Sequence, residues 1–234
     1  MSAALRTVLV IGATGDVGRG AVAACLARGW TVTAVARSQE GLEELAAAHE
    51  SPRLRIVAAS VGDESGAREL AESTVRDAPL AVVNAISTPW GAVTVLETDY
   101  ALAASYWQQY LGSHLAVIKA FVPLLGPESL LLGVGGGMAD FVGAGQAVIS
   151  MSQAAERMLY RTLALEVGTA GPAVRELLIV SKVRGHSNRL AAHPVWLSDT
   201  EIGARIADII EDPFADDNRG PILKIHPQRE EARP

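Results

Sequence analysis

The sequence predicts an α/β chain, a doubly wound parallel sheet of about seven strands with helices on both faces, folded as one domain. Three observations predict it. Short apolar runs alternate along the chain with longer stretches of helical period. The first run, residues 7–11, feeds a glycine-rich turn, Gly12-Ala13-Thr14-Gly15-Asp16-Val17-Gly18, that opens a helical stretch. Hydrophobic side chains make up 49% of 234 residues, enough to bury one large core, and no Pro/Ser linker, internal repeat or low-complexity tract divides them.

Taken in order, strands are expected at residues 7–11, 31–36, 55–59, 80–84, 130–134, 175–180 and 221–225, each a short apolar run between turn signals. Helices are expected between them at 17–28, 39–49, 66–76, 101–125, 146–167 and 200–210. Ser198-Asp199-Thr200-Glu201 is a capping-box pattern that starts the last helix. The charged tail at 228–234 is expected to fray.

Composition narrows the partners. A formal charge of −6 without any Lys/Arg run argues against nucleic acid and against an acidic membrane surface, leaving a small molecule as the expected partner. The single cysteine, Cys25, reads as a small buried hydrophobe. The five histidines are dispersed without paired-ligand spacing, so no metal site is expected. No signal segment or membrane-length apolar run is evident, and the expected location is the cytoplasm. High alanine and low aromatic content suggest a GC-rich bacterial source.

The glycine turn reads as a dinucleotide cradle rather than as a merely structural turn, given the strand before it and the helix after it. Its first glycine permits the tight turn, the second lets backbone N–H groups approach a pyrophosphate, and the third lets the helix pack against the strand. Gly12, Thr14, Gly15, Asp16, Val17 and Gly18 are the cofactor-binding candidates here, and the fold class becomes a Rossmann fold. The second strand ends at Arg37-Ser38, where an NAD site would usually carry an acid for the ribose 2′-hydroxyl. A guanidinium with a neighbouring hydroxyl suits a 2′-phosphate instead, which favours NADP(H). Arg19 reads either as a helper or as an exposed helix arginine. The third strand delivers Ser60 and Val61 to flank an adenine, and Asp63 reads as an adenine ligand or, preferably, as a helix cap.

At the fourth strand Asn84-Ala85 resembles the middle of the Asn-Asn-Ala-Gly signature of the short-chain dehydrogenase/reductase superfamily, with departures at Val83 and Ile86. Residues 111–125, with Lys119-Ala120-Phe121 and Pro123, resemble that family's long interface helix. Residues 152–166 resemble its catalytic helix, and Gly220-Pro221-Ile222-Leu223 the start of its last strand. The glycine spacing is that of the family's extended and atypical branches. The resemblance implies hydride transfer with nicotinamide, assembly as a homodimer or homotetramer through the two long helices, and Asn84 and Ala85 at the cofactor.

It also implies a Tyr-x-x-x-Lys pair and a catalytic serine, and this chain lacks all three. Ser152-Gln153-Ala154-Ala155 aligns with the family's Ser-Lys-Ala-Ala, which puts Gln153 at the lysine and Ile149 at the tyrosine, while the serine position falls within Gly135-Gly136-Gly137. Gln153 can bond a ribose hydroxyl but carries no charge to depress a neighbouring pKa. The candidate replacements are Tyr110, at the family's interface-helix asparagine, His114 one turn further on the same face, and Ser150 beside the vacated tyrosine. Tyr110 and His114 read alternatively as core or interface residues, since Tyr106, Trp107 and Tyr110 form an aromatic stripe. The triple glycine reads either as an oxyanion cradle of backbone N–H groups or as room for the nicotinamide. Residues 183–200 are expected to be a substrate lid, with Lys182, Arg184 and His186 either meeting a polar substrate or simply solvated.

The expected function is therefore an NADP(H)-dependent reductase of a carbonyl or conjugated small molecule with a non-standard proton donor. Two alternatives stand beside it: a non-redox isomerase, cyclase or dehydratase of specialised metabolism, and a catalytically silent NADP(H)-binding protein.

Overall fold

The computed structural model describes residues 6–75 and 80–227. The elements run β1 (Thr7–Ile11), α1 (Asp16–Ala27), β2 (Thr31–Ala36), α2 (Gln39–His49), β3 (Leu54–Ala58), α3 (Glu64–Thr74), β4 (Leu80–Asn84), α4 (Tyr100–Phe121), β5 (Leu130–Gly136), α5 (Ala147–Val167), β6 (Ala173–Ile179), β7 (Val183–Arg184), β8 (Leu197–Ser198), α6 (Asp199–Glu211) and β9 (Ile222–Ile225). Seven strands form one sheet in the order β3-β2-β1-β4-β5-β6-β9, and every neighbouring pair is parallel. This is a Rossmann-type sheet, and its strand order reverses between β1 and β4, where Ile11 stands opposite Asn84.

Alternation along each strand sorts the core into two layers. Val8 and Val10 face α1, α2 and α6, in a cluster with Val22, Leu42, Ile202 and Ile206. Leu9 and Ile11 face α3, α4 and α5, in a cluster with Leu70, Val117, Phe121 and Leu163. A strand apolar on both faces is what a sheet covered on both sides requires.

Side chains fix most helix starts. Ser38, Asp63, Asp99 and Ser198 cap α2, α3, α4 and α6, and the capping box between Ser198 and Glu201 is complete. Asp63 is thus a cap, accepting from the Gly66 N–H at 2.9 Å. The α-helix expected to reach residue 125 stops at Phe121 and tightens into a 3-10 turn over Val122–Leu124, because Pro123 has no N–H with which to continue it. The helix expected to close at residue 76 ends at Thr74, where Val75 turns extended as its C-cap, and the tail at 228–234 lies outside the described residues. Among the described residues no helix is long and apolar enough to cross a membrane.

Candidate cofactor cradle and active site

The turn between β1 and α1 is built for close approach. Gly12 has φ +82° and lies against the end of β4, where a Cβ would stand 2.6 Å from the Ala85 carbonyl oxygen. At Gly18 a Cβ would overlap the Gly12 carbonyl. Gly15 is the N-cap of α1 and offers no side-chain cap, so the first-turn N–H groups of that helix keep their donors for an incoming anion. Arg19, read in the sequence as a possible helper, is committed elsewhere. Its Nε donates to the Thr14 carbonyl at 3.0 Å and its guanidinium pairs with Glu44 at 3.3 Å, tying the turn to α2.

Arg37 follows β2 at the same edge of the sheet, exposed and without a hydrogen bond or ion pair among the described residues. Ser38 beside it accepts from the Gly41 N–H at 3.1 Å, which stiffens the start of α2. Ser60 is exposed with its Oγ accepting from the Gly62 N–H at 3.3 Å, and Val61 is buried. These residues share the carboxyl edge of the sheet with the glycine turn. Asn84 does not present its side chain there. It is wholly buried, and its amide meets His114 Nδ1 at 3.1 Å, so what the end of β4 offers a ligand is the backbone and Ala85.

The triple glycine has a reason that neither sequence reading anticipates. Two side chains of α5, Gln153 and Tyr160, and Glu176 of β6 fill the space of missing side chains on β5. A Cβ at Gly133 would overlap the Tyr160 ring, and one at Gly136 would overlap the Gln153 amide. One at Gly135 would overlap Glu176 Oε1 and press on Glu156 Oε2 at 3.2 Å. The glycines let helix and strand interdigitate around polar groups. Gln153 does not stand free, because its Oε1 accepts from the Met138 N–H at 3.1 Å and props the loop after β5.

Beneath that loop lies a buried polar cluster. Tyr110 Oη donates to Glu156 Oε2, and His114 Nδ1 lies 3.3 Å from both Glu156 Oε1 and Tyr160 Oη. Asn84, His114, Glu156, Tyr160 and Glu176 are all at 0% exposure and Tyr110 at 2%. Tyr110 and His114 are therefore gathered into one network, with the phenol turned toward Glu156. Ser150 does not join it and stays half-buried in the first turn of α5, while Ser152 is spent on the Val148 carbonyl at 2.7 Å. The sequence reading missed Glu156 and Glu176. Two glutamates at inward positions of α5 and β6, opposite Gly135, were the available signal.

Electrostatics make the cluster a proton holder. Burial pushes Glu156 well above the usual carboxylate range, with the Glu176 charge adding to it, and pushes Glu176 up to about 8. Burial pulls His114 down to about 4, so the imidazole is neutral and brings no cation to the pair. Neither oxygen of Glu176 has a hydrogen-bond donor among the described residues. The Arg157 charge draws Glu176 back only in part, and two facing carboxyls of raised pKa keep at least one proton near neutral pH. Burial, with the Glu156 charge adding to it, also drives Tyr110 well above an ordinary phenol.

The segment after β6 crosses the cradle. It ends at Ser198, short of the expected residue 200, because α6 starts at Asp199. The β7 and β8 bridges pin its two ends, and Lys182 Nζ lies over the Trp196 ring at 5.1 Å. His186 is exposed.

The fold defines a class, the single-domain Rossmann-type α/β proteins. The family model for the saccharopine dehydrogenase NADP binding domain matches residues 8–108. Solved structures similar in fold are short-chain dehydrogenases/reductases. One is the NADPH-bound short chain oxidoreductase of Pseudomonas aeruginosa PAO1 described as containing an atypical catalytic center, 20% identical with TM-score 0.82, covering 97% of this chain and 98% of that one. Others are the glucose/ribitol dehydrogenase-type protein of Brucella melitensis (19%, TM-score 0.80, 94% of each chain) and a short-chain dehydrogenase of Streptomyces avermitilis (19%, 0.75, 98% of this chain and 90% of that one). No curated protein matches the sequence.

Proposed function

We propose that this chain is an NADP(H)-dependent oxidoreductase of the short-chain dehydrogenase/reductase type that reduces a carbonyl or conjugated small molecule. The observation that carries the reading is the pairing of an uncapped α1 start behind the Gly12–Gly18 turn with an unpartnered Arg37 at the end of β2. Backbone N–H groups of Asp16 and Val17 hold the diphosphate, while the Gly15 N–H closes the turn on the Gly12 carbonyl at 3.1 Å, and Arg37 with Ser38 holds the 2′-phosphate. Ser60 and Val61 flank the adenine, the Asn84-Ala85 backbone lines the cleft, and Gln153 keeps Nε2 for a ribose hydroxyl. When bound, the nicotinamide supplies the hydride. The chain supplies the proton from the cluster of Tyr110, Glu156 and His114, which Ser150 does not join, in place of the family's Tyr/Lys pair.

Ile149 and Gln153 favour a second reading, a non-redox or silent NADP(H)-binding protein of the same fold. A screen of NADPH absorbance loss with activated carbonyls, quinones and enones separates the two. Turnover of any class supports the reductase, and tight binding without turnover supports the second reading. The outer face of α4 and α5, where Trp107, Leu111, Leu115 and Leu159 line a shallow depression, is the proposed contact of a homodimer or homotetramer.

A further inference from the structure

The lid does not merely pass over the cradle; it is bonded to it. Asp16, in the first turn of α1 and inside the glycine turn, accepts two hydrogen bonds from one lid residue: the Ser187 N–H at 2.8 Å and the Ser187 hydroxyl at 2.6 Å. Gly185, two residues earlier, is buried flat against the same carboxylate, and a Cβ there would stand 2.5 Å from Asp16 Cβ and Cγ. Asn188 braces this tip from within, its Oδ1 accepting from the Gly185 N–H at 3.1 Å and its Nδ2 donating to the Val183 carbonyl at 2.9 Å. The ends of the segment are held by the pairing of Val183 with Leu197 and by the Ser181 hydroxyl, which accepts from the Leu197 N–H at 3.1 Å. The segment is thus a braced strap fixed at its base and touching down at one point on the turn that would receive a diphosphate.

We propose that Asp16 and Ser187 form a clasp that closes this strap across the cradle, so that a dinucleotide enters and leaves only when the clasp opens. The inference rests on the NADP(H) reading above. A carboxylate held by two donors, one of them a backbone N–H fixed by the Asn188 brace, is a charge-assisted contact with a defined open and closed state. Its position in the first turn of α1 puts it beside the N–H groups an anion would use, so clasp and cofactor share one helix end. The strap then sets the exchange rate of the cofactor more than its affinity, because an obstacle in the path slows entry and exit together.

The test reads NADPH dissociation from the full chain by stopped-flow displacement, alongside amide exchange of residues 185–192 in the free protein. Gly185→Ala drives a methyl group into Asp16 and springs the clasp from the lid side, leaving Asp16 and Ser187 in place. Ser187→Ala removes the hydroxyl alone, and Ser187→Thr restores it. The clasp predicts faster exchange in the free protein and NADPH dissociation faster by at least about tenfold in Gly185→Ala, a smaller acceleration in Ser187→Ala, and wild-type rates in Ser187→Thr. Unchanged amide exchange in both Gly185→Ala and Ser187→Ala overturns it, as does accelerated exchange with unchanged dissociation. A wild-type chain that binds no NADPH overturns the cofactor reading and the gate together, whereas NADPH that binds and leaves at one rate from every variant overturns the gate alone.

Discussion

Tyr110 donates its hydroxyl to Glu156 in a fully buried contact, seven residues along α5 from Ile149. Phenol and carboxyl thus form a unit, and removing the phenol withdraws a donor from a buried acid. Tyr110→Phe is expected to slow turnover by at least about tenfold with NADPH affinity unchanged, and to cost about 1–3 kcal/mol of stability. Steady-state rates with a thermal melt check both, and an unaltered rate removes Tyr110 from the chemistry.

Glu176 gives stability a pH dependence whose sign is fixed. Its folded pKa, about 8, lies above the unfolded value, so the folded chain holds the proton more tightly. The contribution is complete below the unfolded carboxylate pKa and is lost as pH rises toward about 8. Glu176→Gln keeps the shape without the ionisation. It is expected to melt higher than the parent at pH 8 by at least about 3 °C, with the gap narrowing toward pH 5. A gap that is the same at both pH values contradicts the assignment.

The glycine stack on β5 makes a steric prediction. Gly135→Ala sets a methyl group against Glu176 Oε1 and is expected to destabilise by about 2 kcal/mol or more. Combining it with Glu176→Ala, which empties that space, is expected to recover at least about 1 kcal/mol in a double-mutant cycle measured by denaturant unfolding. Strict additivity would show that the two residues do not compete for the space.

Leu115 is 45% exposed on the outer face of α4, beside the depression lined by Trp107 and Leu111. Leu115→Glu is expected to lower the molecular mass measured by light scattering to that of one chain, since a charge buried in an apolar contact goes unpaired. A parent that is already monomeric removes the oligomer proposal.

Much of the fold was legible because the signals are local. The ladder ends at Ile11, Ala36 and Asn84 fall where turn residues interrupt apolar runs, and the start of α6 follows from the Ser198/Glu201 box. The cradle was legible for the same reason, being seven consecutive residues. The cluster was not, because its meaning depends on pairing across elements. Glu156 reads as an ordinary helix glutamate until Gly135 of β5 is placed opposite it, and Gly135 reads as a loop residue until Glu176 of β6 fills its space. Asn84 matched the family's strand-end motif, yet His114 thirty residues later in the chain draws its amide into the core.

Arg37 is an exposed cation at the end of β2 with no protein partner among the described residues, placed to meet a 2′-phosphate. The decisive measurement is a calorimetric titration of the parent and Arg37→Ala with NADPH and NADH. Saturable binding of NADPH to the parent is expected, at least about tenfold tighter than NADH, with Arg37→Ala losing that preference by weakening NADPH alone. A parent that binds neither dinucleotide at millimolar concentration, or that favours NADH, would contradict it.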